Sequence, residues 1–214
     1  MKKIILSVLT FTIVIAVVIV SCKKGQVNQE PQTVNLSAKS ESQKISIVSN
    51  DKDWKLIAQK NLETINKLVA SNIDINKFDF RDEDAFLKIL GKSKSEYLND
   101  AQEVKSAATR LIAKYNIAQQ PNTECLSCKT SSDEVFSKIK RTVTLFRENR
   151  QSLNKFEALL STPSLVAPPD DGGGENACCP WRFYACITLC AATIEAFPAY
   201  LLCCGFCYDT YCCK

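Results

Sequence analysis

The stretch CITLCAATIEAFPAYLLCCGFC, residues 186–207, decides the fold. Cys186 and Cys190 stand four residues apart, and so do Cys203 and Cys207. That spacing puts each pair one turn apart on a single helix face. The connection between the pairs contains Pro198, which a helix interior does not accept without a break or kink. Two helices that fold back on each other are therefore expected. In an antiparallel hairpin, positions equally far from the turn face each other. Cys190 then faces Cys203, and Cys186 faces Cys207.

The CxxxC…CxxxC spacing resembles the α-hairpinin peptides, and the resemblance implies this same nested pairing. Cys178, Cys179, Cys204, Cys212 and Cys213 depart from that pattern. The doublets Cys178/Cys179 and Cys212/Cys213 sit at opposite ends of the segment and are candidates to close it. A module of ~40 residues cannot hold itself together by burial alone. Disulfides, at about 2–4 kcal/mol each, are the expected staples. Residues 177–214 thus read as a cysteine-rich module of their own. From Phe183 to Phe206 the only charge is Glu195. A buried carboxylate near the centre and a proline argue against a membrane span there. A stapled apolar hairpin that meets a membrane from outside fits the cysteines better.

Before this module lies Ser161-Thr162-Pro163, then Pro168-Pro169-Asp170-Asp171-Gly172-Gly173-Gly174. Such breakers mark a linker over residues 161–176, open to proteolysis near Gly172, Gly173 and Gly174.

Residues 51–160 carry helical periodicity. Trp54, Ile57, Leu62, Ile65, Leu68 and Val69 recur at three- and four-residue steps. A shorter helix is expected from Asp82 to Leu90, with acids at its positive end and Gly91 as its stop. Ser93 and Glu96 have capping-box spacing, and the stripe from Tyr97 through Val104 to Tyr115 follows. Ser131 and Glu134 repeat the spacing before a long helix interrupted at Arg150. The fold class is all-α: a small amphipathic bundle, a linker and a disulfide-stapled helical hairpin.

The N-terminus reads as an address. Met1-Lys2-Lys3 precedes an apolar run from Ile4 to Val20. Ile19-Val20-Ser21-Cys22 resembles the lipobox of bacterial lipoproteins. That resemblance implies a signal peptide over residues 1–21, removed before Cys22, and lipid, such as palmitate, on Cys22. Lys23 and Lys24 are not the aspartate associated with inner-membrane retention, so the resemblance favours the outer membrane or cell surface. Residues 22–50, rich in Ser, Gln, Asn and Lys, read as lipid anchor and flexible tether; Ile45-Ser46-Ile47-Val48 has strand composition, but a lone strand has no partner here. Everything beyond Cys22 then lies in an oxidising compartment, where cysteines are read first as disulfides.

Composition bounds the chemistry. The chain has 214 residues, a net charge of +4, 12 cysteines and no histidine. Histidine bases, catalytic triads and histidine metal sites are excluded, and the charge is too small to argue for nucleic acid. Asn72, Asp74, Asn76 and Glu83 fall on ligand positions of a calcium loop, but Lys77 replaces its essential glycine. Cys125-Leu126-Ser127-Cys128 is a CxxC without the βαβ context of a thioredoxin-like site. It distantly resembles the lysine variant of a c-type haem motif, yet no histidine remains to complete the iron. Disulfides of Cys125 and Cys128, either local or to the tail, are the simpler expectation. No metal, cofactor or enzymatic activity is expected.

Three functions follow as expectations. The first is a non-enzymatic envelope lipoprotein, held to the membrane through Cys22, whose tail binds a target membrane or surface protein. The second is a precursor of a bacteriocin-like peptide released near Gly172–Gly174, a resemblance of architecture. The third is a thiol-redox or metal-handling protein.

Overall fold

The computed structural model describes residues 34–119, 130–161, 180–193 and 202–211. Among the described residues the regular structure is helical, with no strand. The elements are α1 (Glu41–Ser49), α2 (Lys52–Ala70), α3 (Glu83–Leu90), α4 (Lys94–Tyr115), a 3-10 turn (Ile117–Gln119), α5 (Ser132–Glu148), α6 (Arg150–Ser161), α7 (Pro180–Thr193) and α8 (Cys203–Tyr211). The all-α class and the stapled hairpin are as the sequence suggests.

Local chemistry sets the helix boundaries. Asp51, Asp82, Ser93 and Ser131 are N-caps, each accepting a backbone N–H of the first turn with its side chain. At Ser93 the capping box is reciprocal, with the Glu96 carboxylate accepting the Ser93 N–H at 2.8 Å. Gly91 ends α3 with φ of 64°, the left-handed turn that favours glycine. The long helix expected after Ser131 is two helices. Asn149, in an extended conformation, breaks it one residue before Arg150.

Helix α2 is central and packs on α1, α3, α4, α5, α6 and α8. Its apolar stripe is buried at Trp54, Ile57, Ile65 and Leu68, as periodicity requires. Arg147 on α5 closes the far end of α2. Its guanidinium donates to the carbonyls of Leu68, Val69, Ser71 and Ile73 at 2.6–3.2 Å. Leu68 and Val69 are in the last turn of α2, whose carbonyls lack partners further along the helix, and Ser71 and Ile73 are in the loop that follows.

Two expectations are corrected. The tether does not extend to residue 50. The Val34 N–H donates to the Lys114 carbonyl, Leu36 is fully buried, and α1 follows behind a Ser40/Gln43 capping box. Ile45 to Val48, considered as a strand, is helical, and Ile45 and Val48 enter the core. The second correction concerns the tail. The described residues from Val34 onward form one compact unit, so the hairpin helices are not a separate module. Helix α7 packs on α1, α4 and the 3-10 turn, while α8 packs on α2 and α5. The physical reason is the hairpin's composition. From Trp181 to Ala191 every residue except Arg182 is buried. A helix apolar on every side cannot rest in water and needs cover all round.

Candidate functional site: the stapled hairpin and its cradle

The sequence singled out ten cysteines for disulfides, and the structure brings four of them together. Cys186 and Cys207 are bonded with Cα atoms 5.9 Å apart, and Cys190 and Cys203 with Cα atoms 5.7 Å apart. Both separations fit disulfide geometry. Each bond joins α7 to α8, and all four residues are buried. Cys125, Cys128, Cys178, Cys179, Cys212 and Cys213 lie outside the described residues, as do Cys22 and Gly172 to Gly174.

Cys204, left over from the hairpin pattern, is a buried free thiol. Burial pushes its ionisation well above the ordinary thiol range. The thiolate is the reactive form, so Cys204 is held inert while the hairpin is seated.

The bundle holds the hairpin through groups that periodicity does not reveal. The fully buried Asn61 on α2 accepts the Cys204 N–H at 3.2 Å and donates to the Ile57 carbonyl at 3.0 Å. Thr142 on α5 donates to the Gly205 carbonyl at 2.8 Å. At the rim, Arg141 makes a two-pronged contact with Asp209 at 3.0 and 2.6 Å. In the other direction, the Tyr184 hydroxyl donates to the Leu159 carbonyl at 2.6 Å. Burial raises the ionisation of that phenol and keeps it a donor. Gly205 is the point of closest approach. A Cβ built there would stand 3.2 Å from Ile65 Cδ1, with Ile139 and Thr142 just beyond. Phe146, Phe156, Phe183 and Tyr208 form a ring cluster between bundle and hairpin, with centroids 4.9–6.5 Å apart.

Among the residues weighed for calcium, Asp74 is engaged otherwise. It accepts the Asn76 N–H at 3.1 Å and pairs with Lys77 at 3.4 Å. No group of three or more Cys, Asp or Glu among the described residues could hold a metal ion. No described helix is long and apolar enough to cross a membrane.

Two other polar features flank the core. At the start of α2, Asp51 accepts from Lys114 at 2.7 Å and from Tyr115 at 2.8 Å, while Asp53 takes the Arg110 fork. Burial works against the Asp51 charge, but the bonds from Lys114, the Asp53 N–H and Tyr115 together hold its carboxyl below the usual range. Asp100 is likewise opposed by burial and held low by Lys60 and Lys92. A surface cleft of about 380 Å³ lies between the loop after α2 and α5. Phe80 and Phe136, which line it, stack on each other, and its cations Arg81, Lys140 and Lys77 are committed to Asp133, the Asn76 carbonyl and Asp74.

No protein-family model matches the chain, and no curated protein or solved structure shows significant similarity to it.

Proposed function

We propose that this chain is a non-enzymatic, lipid-anchored protein of the bacterial cell envelope, at the outer membrane or cell surface. The observation that carries the reading is the disulfide-stapled hairpin inside the core. Such bonds persist in oxidising compartments, and the lipobox-like Ile19-Val20-Ser21-Cys22 would deliver the chain to one. Only 11 residues separate Cys22 from Val34, whose N–H is bonded to the Lys114 carbonyl of the bundle. The folded domain would therefore stand within ~40 Å of the lipid surface, the reach of a fully extended chain of that length. Because the described hairpin helices are largely buried, the exposed faces of α1 to α6 are surfaces open to a membrane or protein partner.

The test is Cys22→Ala expressed in a bacterial host. Loss of fatty-acid labelling and retention of residues 1–21 are expected. Unchanged processing and labelling would overturn the reading.

A second reading, a precursor whose tail is cut free near Gly172–Gly174, draws support from the hairpin itself. It is largely apolar and carries its own staples, as a membrane-active peptide would. Finding the tail as a separate peptide in culture medium would favour it. Finding full-length protein only would reject it.

A further inference from the structure

We propose that the bundle is an intramolecular receptor for its own C-terminal hairpin. The hairpin seats as a separately stapled unit, and the cradle holds it even when the connection between Ser161 and Pro180 is cut. Cutting alone would then not free the tail, and release would require a second event that opens the cradle.

The distribution of covalent and non-covalent bonds motivates this. Both described disulfides lie within the hairpin, so its two helices stay joined whatever happens upstream. The described contacts between hairpin and bundle are non-covalent, and they are specific. Asn61 and Thr142 read an N–H and a carbonyl of adjacent residues in the first turn of α8. Those groups belong to the backbone, so the cradle recognises the placement of the helix as well as its side chains. The Gly205 notch admits no larger side chain without displacement of Ile65. The Arg141–Asp209 fork fixes the orientation at the rim. Around these keys the contact is apolar, through Trp54, Phe146 and Phe156 against Tyr184, Phe183 and Tyr208. Water offers the undocked hairpin nothing to replace that cover.

Cys204 reports on seating, because it is buried where α8 meets α2. The experiment uses the full chain with a site-specific protease sequence in place of Gly172–Gly174, cut without reduction. Both fragments are expected to co-elute on native gel filtration and to separate in unreduced denaturant. Alkylation of Cys204, mapped by mass, should stay within about twofold of the uncut rate. Thr142→Val and Gly205→Leu should each raise that rate at least tenfold in the cut protein. Thr142→Val deletes a single bond and carries the test if Gly205→Leu does not fold. Separation of the fragments in plain buffer would overturn the proposal. So would fragments still joined in unreduced denaturant, since a covalent link would then retain the tail. Equal Cys204 rates in the parent and in whichever variants fold would overturn it as well.

Discussion

Trp54 and Tyr184 stack face to face, with ring centroids 4.2 Å apart and planes 20° apart. Trp54 opens the central helix α2, and Tyr184 belongs to the cysteine-rich tail. Both are buried, and the Tyr184 hydroxyl ties the pair to the Leu159 carbonyl on α6. One contact thus joins three parts of the chain and makes the tail a component of the core. Replacing Tyr184 by Phe should cost about 1 kcal/mol, the net worth of one hydrogen bond. Replacing it by Ala should cost about 3–5 kcal/mol, as for other large aromatic truncations. Urea unfolding of the two variants checks the ratio, and equal small losses would mean that the tail is not packed there.

Gly205 gives a contrast of sign. Ala at this position gains up to ~1 kcal/mol of helix propensity and asks only the end of the Ile65 side chain to yield. Gly205→Ala should therefore change stability little. Gly205→Leu overpacks the same contact and should lose about 1–3 kcal/mol or more. Thermal unfolding of both variants distinguishes a notch from an ordinary helix position.

Arg147 supports the end of α2 with one guanidinium and four carbonyls. Arg147→Met keeps much of the apolar stem and removes the donors. Hydrogen bonds to charged groups contribute about 1.5–3 kcal/mol each, and they are not additive here. A loss of roughly 2–4 kcal/mol is expected, read from the denaturant midpoint. Amide exchange should also speed up around Leu68 to Ile73.

Acid should weaken the fold through Asp51 and Asp100. Both carboxyls are held below their ordinary range in the folded chain. Their stabilisation is therefore complete above about pH 4, the unfolded carboxylate value, and is lost as pH falls through the lower folded values. Asp51→Asn should flatten the acid limb of the stability profile. Lys92 has the opposite sign. Burial disfavours its charge, but Asp100 and Glu63 outweigh that and raise its ionisation. Its contribution is present through neutral pH and is lost as alkali carries pH above the ordinary lysine value and through the raised one.

The helices and their caps were legible because each rests on local chemistry. Ser93 with Glu96 and Gly91 after Leu90 are signals within one turn. The facing cysteines were legible for a similar reason, since equal distances from a turn fix which residues meet. The place of the hairpin was not legible. Its self-contained cysteine pattern suggested independence, whereas its partners Trp54, Asn61 and Thr142 lie far back in the chain. A usable clue lay in Phe183 to Ala191, apolar on all sides rather than along a stripe. Helix α1 was hidden by polar residues on its exposed face, although Ser40 and Gln43 carry capping-box spacing. Asn61 and Thr142 are polar residues on buried helix faces, and their use depends on a backbone that only the tertiary fold delivers.

The most direct test of the account is the intact mass of the mature protein extracted from the membrane fraction of a bacterial host. A single chain is expected that begins at a lipid-modified Cys22 and runs through Lys214, with residues 1–21 absent. A mass that retains Met1 to Ser21 without lipid, or a chain that ends near Gly172 to Gly174, would contradict it.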